Sequence, residues 1–221
     1  DISSKPFGLN TVCTTGQRCK ANIPGKIMYK INNLRIPKNL TIIEAKSVEI
    51  DFSMPSDRLV GALLRSLIAS KPQANVLELG TGAGLSLAWM VDGLPHDGRI
   101  TSIDNDPELV ALAQTFFSSD GRVDLVCEDG AHWLHNYHGS GFDVIFADAW
   151  PGKYSELDEA LNILNPGGFY VIDDMAEQAN WPDGHAEKAN TLIQVLIERD
   201  DLFISQMDWS TGVLVATKKR Y

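Results

Sequence analysis

Val76-Leu77-Glu78-Leu79-Gly80-Thr81-Gly82-Ala83-Gly84 is the stretch that decides the fold. A mainly apolar run ends in three alternating glycines, the pattern of a buried strand that turns sharply into a ligand-bearing loop. Glycine suits such a loop because the turn asks for backbone angles a β-carbon resists, and because a ligand can reach the main chain where no side chain intervenes. Leu85 to Val91 reads as the start of a helix whose first N–H groups face back toward the loop. Arg99 to Asp104 reads as a second strand. Its closing carboxylate lies about 20 residues beyond Gly84, the spacing of an acid that accepts the two hydroxyls of a ribose. The loop is therefore expected to hold a nucleotide-like cofactor.

Two cofactor classes use this geometry. Dinucleotide enzymes favour G-x-G-x-x-G, which from Gly80 would put glycine at position 85, where this chain has Leu85. Glu78 stands inside the strand, where a carboxylate could accept from a cationic ligand or from the loop's own amides. The run E-L-G-T-G-A-G resembles the first motif of class I S-adenosylmethionine (SAM) methyltransferases, in which the glycines make room for the amino-acid part of SAM. Asp104 resembles that family's ribose acid, and Glu128-Asp129-Gly130-Ala131 its adenine-contacting segment after strand three. The motifs occur in the family's order, and the match extends through most of residues 57–221. The resemblance implies a cofactor site drawn from Glu78, Gly80, Thr81, Gly82, Gly84, Ser86, Asp104, Asn105, Glu128, Asp129, Gly130, Ala131, Asp148 and Trp150.

From residue 57 onward helical and strand periods alternate in short units, which predicts a doubly wound α/β domain with a mainly parallel sheet and helices on both faces. Asp57 is placed to cap a helix carrying Leu59, Leu63, Leu64 and Leu67, and Pro107 sits in a first helical turn. A helix from about Ser155 to Leu164 is expected to stop at Asn165-Pro166-Gly167-Gly168, with strand five over Phe169 to Ile172. Leu202 to Trp209 and Val213 to Lys218 are joined so tightly that they must pair antiparallel. A seven-stranded order of 3-2-1-4-5-7-6 is what the resemblance implies. Residues 1–56, punctuated by Pro6, Pro24, Pro37 and Pro55, read as an appendage. Its open roles are a lid, a substrate wall, the contact of a homodimer, or simple packing on the core.

In open α/β sheets ligands bind beyond the carboxyl ends of the strands. There strand four ends in Asp148-Ala149-Trp150-Pro151-Gly152-Lys153-Tyr154 and strand five in Asp173-Asp174. Three carboxylates at one edge repel unless a cation or protons intervene, and oxygen donors suit Mg²⁺ or Ca²⁺. The pattern resembles the O-methyltransferases of catechols and caffeoyl thioesters, which implies Asp148, Asp173 and Asp174 as metal ligands and Asp148 and Lys153 as catalytic residues. Asp174 departs from that family's asparagine, and Pro151 falls where the catechol enzymes carry their catalytic lysine. The other reading stays open, in which Asp148 hydrogen-bonds SAM or its loop and the strand-five acids cap local backbone. Trp150 and Trp181 lie in loops at the same edge, where rings could wall in a flat substrate. His132, His135 and His138 lack the partners of a zinc set and read as surface residues.

The 221-residue chain carries a net charge of −10 and no basic block, so nucleic acid would meet general repulsion. A basic patch at Lys20, Lys26, Lys30, Arg35 and Lys38 reads as a solvated face. Cys13, Cys19 and Cys127 are too few and irregular for a disulfide framework, which points to a reducing, cytoplasmic compartment. No apolar run approaches the roughly 20 residues of a membrane span. The composite expectation is SAM-dependent O-methylation of a small molecule. Two rivals share these features: a nicotinamide-dependent oxidoreductase of Rossmann type, and a protein that binds SAM or S-adenosylhomocysteine (SAH) without turnover.

Overall fold

The central strands form where the apolar runs predict them. β1 (Asn75–Leu79), β2 (Arg99–Asp104), β3 (Val123–Cys127) and β4 (Phe142–Ala147) pair in parallel. The computed structural model describes residues 34–178 and 181–221. Val144, Ile145, Phe146 and Ala147 are fully buried, as are Val76 and Leu77, because helices cover both faces of the two middle strands. β5 (Leu164–Ile172) lies beside β4, and β6 (Leu202–Met207) and β7 (Val213–Lys218) form an antiparallel hairpin whose second strand inserts next to β5. The sheet order is β3-β2-β1-β4-β5-β7-β6, the order that the resemblance implied.

The helices start where their caps predict. Asp57 accepts from the Leu59 amide at 2.6 Å and opens α2, and Asp106 accepts from the Glu108 and Leu109 amides ahead of Pro107 in α4 (Pro107–Phe117). α2 (Arg58–Ala69) packs on α3 (Leu85–Gly93), and Gly61 leaves the room that the buried Trp89 ring fills. α5 (Gly130–Asn136) is capped by Asp129, and α6 (Leu157–Asn162) precedes β5.

Four elements differ from the sequence reading. Strand five starts at Leu164 rather than Phe169, because Leu164 already pairs with Phe142 and Asn165 to Gly168 form an irregularity inside the strand, not a stop before it. α6 is correspondingly shorter. Residues 35–221 form one compact unit, so part of the segment grouped with the appendage packs with the core: α1 (Leu40–Glu49) buries Leu40 and Ile43 and adjoins α3. A helix that the sequence reading did not single out, α7 (His185–Ile197), buries Ala189, Leu192, Ile193 and Leu196. Cys13, Cys19, Lys20, Lys26 and Lys30 lie outside the described residues. Among the described residues no helix is long and apolar enough to cross a membrane.

Candidate active site

The strand register builds the site. Leu79 is level with Ile103 on one side and Ala147 on the other, and Ala147 is level with Ile172. The residues that follow these strands, Asp104, Gly80, Asp148 and Asp173, therefore meet along one edge of the sheet. A cleft of about 660 Å³ opens over them, walled by the glycine loop, by residues 52–56, and by Trp150, Lys153, Tyr154, Trp181 and His185. A second hollow of about 210 Å³ adjoins it and shares Gly80, Asp104, Asn105, Ala149 and Trp150.

At the cofactor end the loop is pinned to β2, since the Gly80 and Thr81 amides both donate to the Ile103 carbonyl. Asp104 Oδ2 accepts from the Gly82 amide at 2.8 Å and Oδ1 from the Asp106 amide at 3.0 Å. A carboxylate has about four lone-pair sites, so two remain for hydroxyl donors such as those of a ribose. Asp129, Gly130, Ile103 and Pro151 close the smaller hollow. Gly80, Thr81, Gly82, Asp104, Asn105, Asp129, Gly130, Asp148 and Trp150 thus all line the two spaces.

Glu78, Gly84, Ser86, Glu128 and Ala131 do not. Glu78 is fully buried beneath the loop, where it accepts from Ser86 Oγ and Ser102 Oγ, and Ser102 in turn meets Thr81 Oγ1 at 2.6 Å. It braces the loop from behind. Gly84 packs against Phe117, and Glu128 is held by His132 on the surface. Trp133 stacks on Tyr137 at 4.5 Å and joins the core beside Phe142. His135 faces Glu159 at 3.8 Å, and the three histidines of this region gather no metal set among the described residues.

Burial, opposed by the two serine hydroxyls, pushes the Glu78 carboxyl up to about 8. In the unfolded chain it ionises near its ordinary 4.5, so the stability that the protonated form contributes is complete below that pH and is lost as pH rises toward 8. Glu78→Gln should therefore gain on the wild type in urea midpoint as pH is raised from 5 to 8. A difference that stays flat with pH would mean that Glu78 is ionised in the folded protein.

At the other end of the cleft, Trp150 lies 4.9 Å from Tyr154, Tyr154 Oη meets His185 Nε2 at 3.1 Å, and the Trp181 and His185 rings are 4.5 Å apart. Tyr154 and His185 had no role in the sequence reading, because α7 was not recognised and only the fold brings position 185 to 154. Burial, with Asp174 nearby, raises Tyr154 to about 12, and burial lowers His185. The pair is thus a neutral phenol and a neutral imidazole at ordinary pH.

Asp148, Asp173 and Asp174 all line the cleft; Ser56 Oγ lies 3.5 Å from Asp148 Oδ2, and one oxygen of each strand-five acid is already engaged. Asp173 Oδ1 accepts from Thr211 Oγ1 and from the Asp174 amide, and Asp174 Oδ1 accepts from Gln178 Nε2 at 2.6 Å. Asp174 has φ 56°, a left-handed turn that separates it from its neighbour. Lys153, buried at 6% exposure, donates from Nζ to the Asp173 carbonyl at 2.6 Å. Among the described residues no three carboxylate, thiol or imidazole groups converge as a metal would require. Because these groups do not converge, this donor set does not fit the Mg²⁺ or Ca²⁺ implied by the resemblance. Burial and the Asp173 charge push Asp148 well above the usual carboxylate range, with Lys153 opposing. Burial, with Asp174 adding to it, lifts Asp173 to about 6 against the Thr211 bond.

Comparison with known proteins shows the family and the fold. The sequence model of the O-methyltransferase family matches residues 35–216. A protein of Mycolicibacterium vanbaalenii named for the O-methyltransferases is 30% identical over 169 residues, or 72% of this chain and 75% of its own length. An O-methyltransferase of Bacillus cereus in complex with SAH has the same fold at a TM-score of 0.74 and 19% identity, over 86% of this chain and 95% of that one. The O-methyltransferase of tomaymycin synthesis from Streptomyces achromogenes, in complex with SAM, gives 0.74 at 23% identity, over 86% and 94%. The chain belongs to the O-methyltransferase family, enzymes that take their methyl group from SAM.

Proposed function

We propose that this chain transfers the methyl group of SAM to a hydroxyl of a small, flat aromatic molecule. The observation that carries the reading is one continuous cleft with Asp104 and the glycine loop at one end and an aromatic box beside Asp148 at the other. Bound SAM supplies a methyl group already activated on a sulfonium. The protein's tasks are alignment, exclusion of water and removal of the hydroxyl proton. Asp104 and Asp129 hold the cofactor's ribose and adenine, Trp150 and Trp181 stack the acceptor ring, and Asp148, which lines the cleft beside the aromatic box, accepts the proton. The residues before α2 add Phe52 and Ser56 to the cleft wall, which supports a substrate-side role for that part of the appendage.

Methyl transfer from labelled SAM to a panel of phenols and aliphatic alcohols tests the reading. Phenols should be preferred, and Trp181→Ala should raise the phenol KM by roughly 2- to 10-fold, the worth of one aromatic stack, without changing SAM affinity. Equal use of aliphatic alcohols, with Trp181→Ala unchanged, would contradict an aromatic acceptor.

A further inference from the structure

On the reading of this cleft as a methyl-transfer site, we propose that the Lys153 ammonium is its resident cation, holding the acceptor oxygen where the enzymes that the sequence resembles carry a divalent metal. The turn that delivers Lys153 is fixed. Gly152 has φ 82°, a Cβ there would come within 2.5 Å of Leu79, Tyr170 Oη donates to the Gly152 carbonyl, and the Lys153 amide donates to Trp150 at 3.2 Å. On this turn the Lys153 side chain is buried, although Trp150 beside it is half exposed. This turn also accounts for the departure at Pro151: the cation arrives two residues later in sequence.

An ammonium has three N–H donors. Among the described residues one is used, on the Asp173 carbonyl, and no carboxylate stands within ion-pair distance of Nζ. Two donors are left in a residue that lines the cleft. Nζ lies 5.3 Å from the centre of the Tyr154 ring, so an oxygen on a ring stacked in the aromatic box falls within its reach. Thr211 and Gln178 already take Oδ1 of Asp173 and of Asp174, so a divalent ion would be left with the other oxygens and would settle beside an existing positive charge. The proton of the acceptor hydroxyl passes to Asp148, and the oxygen is left facing the ammonium.

Mn²⁺ titrated into the SAH-loaded protein and followed by electron paramagnetic resonance should leave the free-ion signal undiminished. Turnover of a planar phenol should survive EDTA. Lys153→Met, which removes both the charge and the donors, should lose roughly 10²–10³-fold in turnover, the effect of removing a donor from a developing oxyanion, while SAM affinity stays within a few fold. Stoichiometric Mn²⁺ uptake that Asp173→Asn abolishes, or EDTA inactivation reversed by Mg²⁺, would overturn the proposal. If Lys153→Met does not fold, those two measurements on the wild type decide. SAM calorimetry on the same preparation separates the two claims: without SAM binding the cleft reading itself falls, whereas SAM binding together with Mn²⁺ uptake removes only the role of Lys153.

Discussion

Gly80→Val should lose SAM binding altogether and unfold well below the wild type. Gly80 has φ 102°, a conformation that costs a β-carbon-bearing residue roughly 1–2 kcal/mol. A Cβ at this position would lie 2.9 Å from the Asp148 carbonyl oxygen and 3.1 Å from its carbon, both backbone atoms of a buried crossing that cannot swing aside. Relief of the clash must part the β1 and β4 loops, which separates the glycine loop from Asp148 and adds about 1–3 kcal/mol of overpacking cost. Gly121→Ala is the control, because nothing lies within 4 Å of a Cβ there. Calorimetry with SAM and a thermal midpoint for each variant check the expectation. Wild-type affinity in Gly80→Val would mean that the loop does not form the cofactor's cradle.

Asp148→Asn should cut turnover by about 10²–10⁴-fold while leaving SAM affinity nearly unchanged. The substitution keeps the shape and removes the only property in question, the ability to take a proton. Its backbone is fixed by the Asp148 amide donating to the Leu79 carbonyl at 3.0 Å, so the loop has little reason to move. The effect is read as kcat against KM for a phenol, with SAM affinity measured separately. A large loss of SAM affinity with normal turnover at saturation would instead place Asp148 in cofactor support.

The cofactor end of the site was the legible part of the sequence, since its glycines and Asp104 lie close to one another in the chain and their roles follow from local geometry. The parallel core was legible for the same reason: Val144 to Ala147 is an unbroken apolar run that only a strand covered on both faces would carry. Glu78 misled because a carboxylate in a strand looks functional until its neighbours are known. Ser86 and Ser102 satisfy it from an adjacent helix and strand, which no local pattern announces. The acceptor end was legible as a set of acids with Lys153, Trp150 and Trp181, but not as a network. Thr211 comes from the β6–β7 turn and His185 from α7, and only the fold brings them to Asp173 and Tyr154; Gln178 reaches Asp174 from four residues on, with no motif to announce it. The irregular strand five was hidden behind Asn165-Pro166-Gly167-Gly168, whose composition is that of a turn. The Lys71 ammonium, which donates to the Gly167 carbonyl, and the Asn165 amide, which donates to Asp143 at 3.0 Å, hold that segment in the sheet.

Parallel calorimetric titrations of the purified protein with SAM and with NADH test the central claim most directly. One SAM per chain is expected to bind, with an affinity that Asp104→Ala weakens by about 1–3 kcal/mol through loss of charge-assisted ribose hydrogen bonds, and NADH should give no heat of binding. Binding of NADH but not SAM, or SAM binding indifferent to Asp104→Ala, would contradict the account.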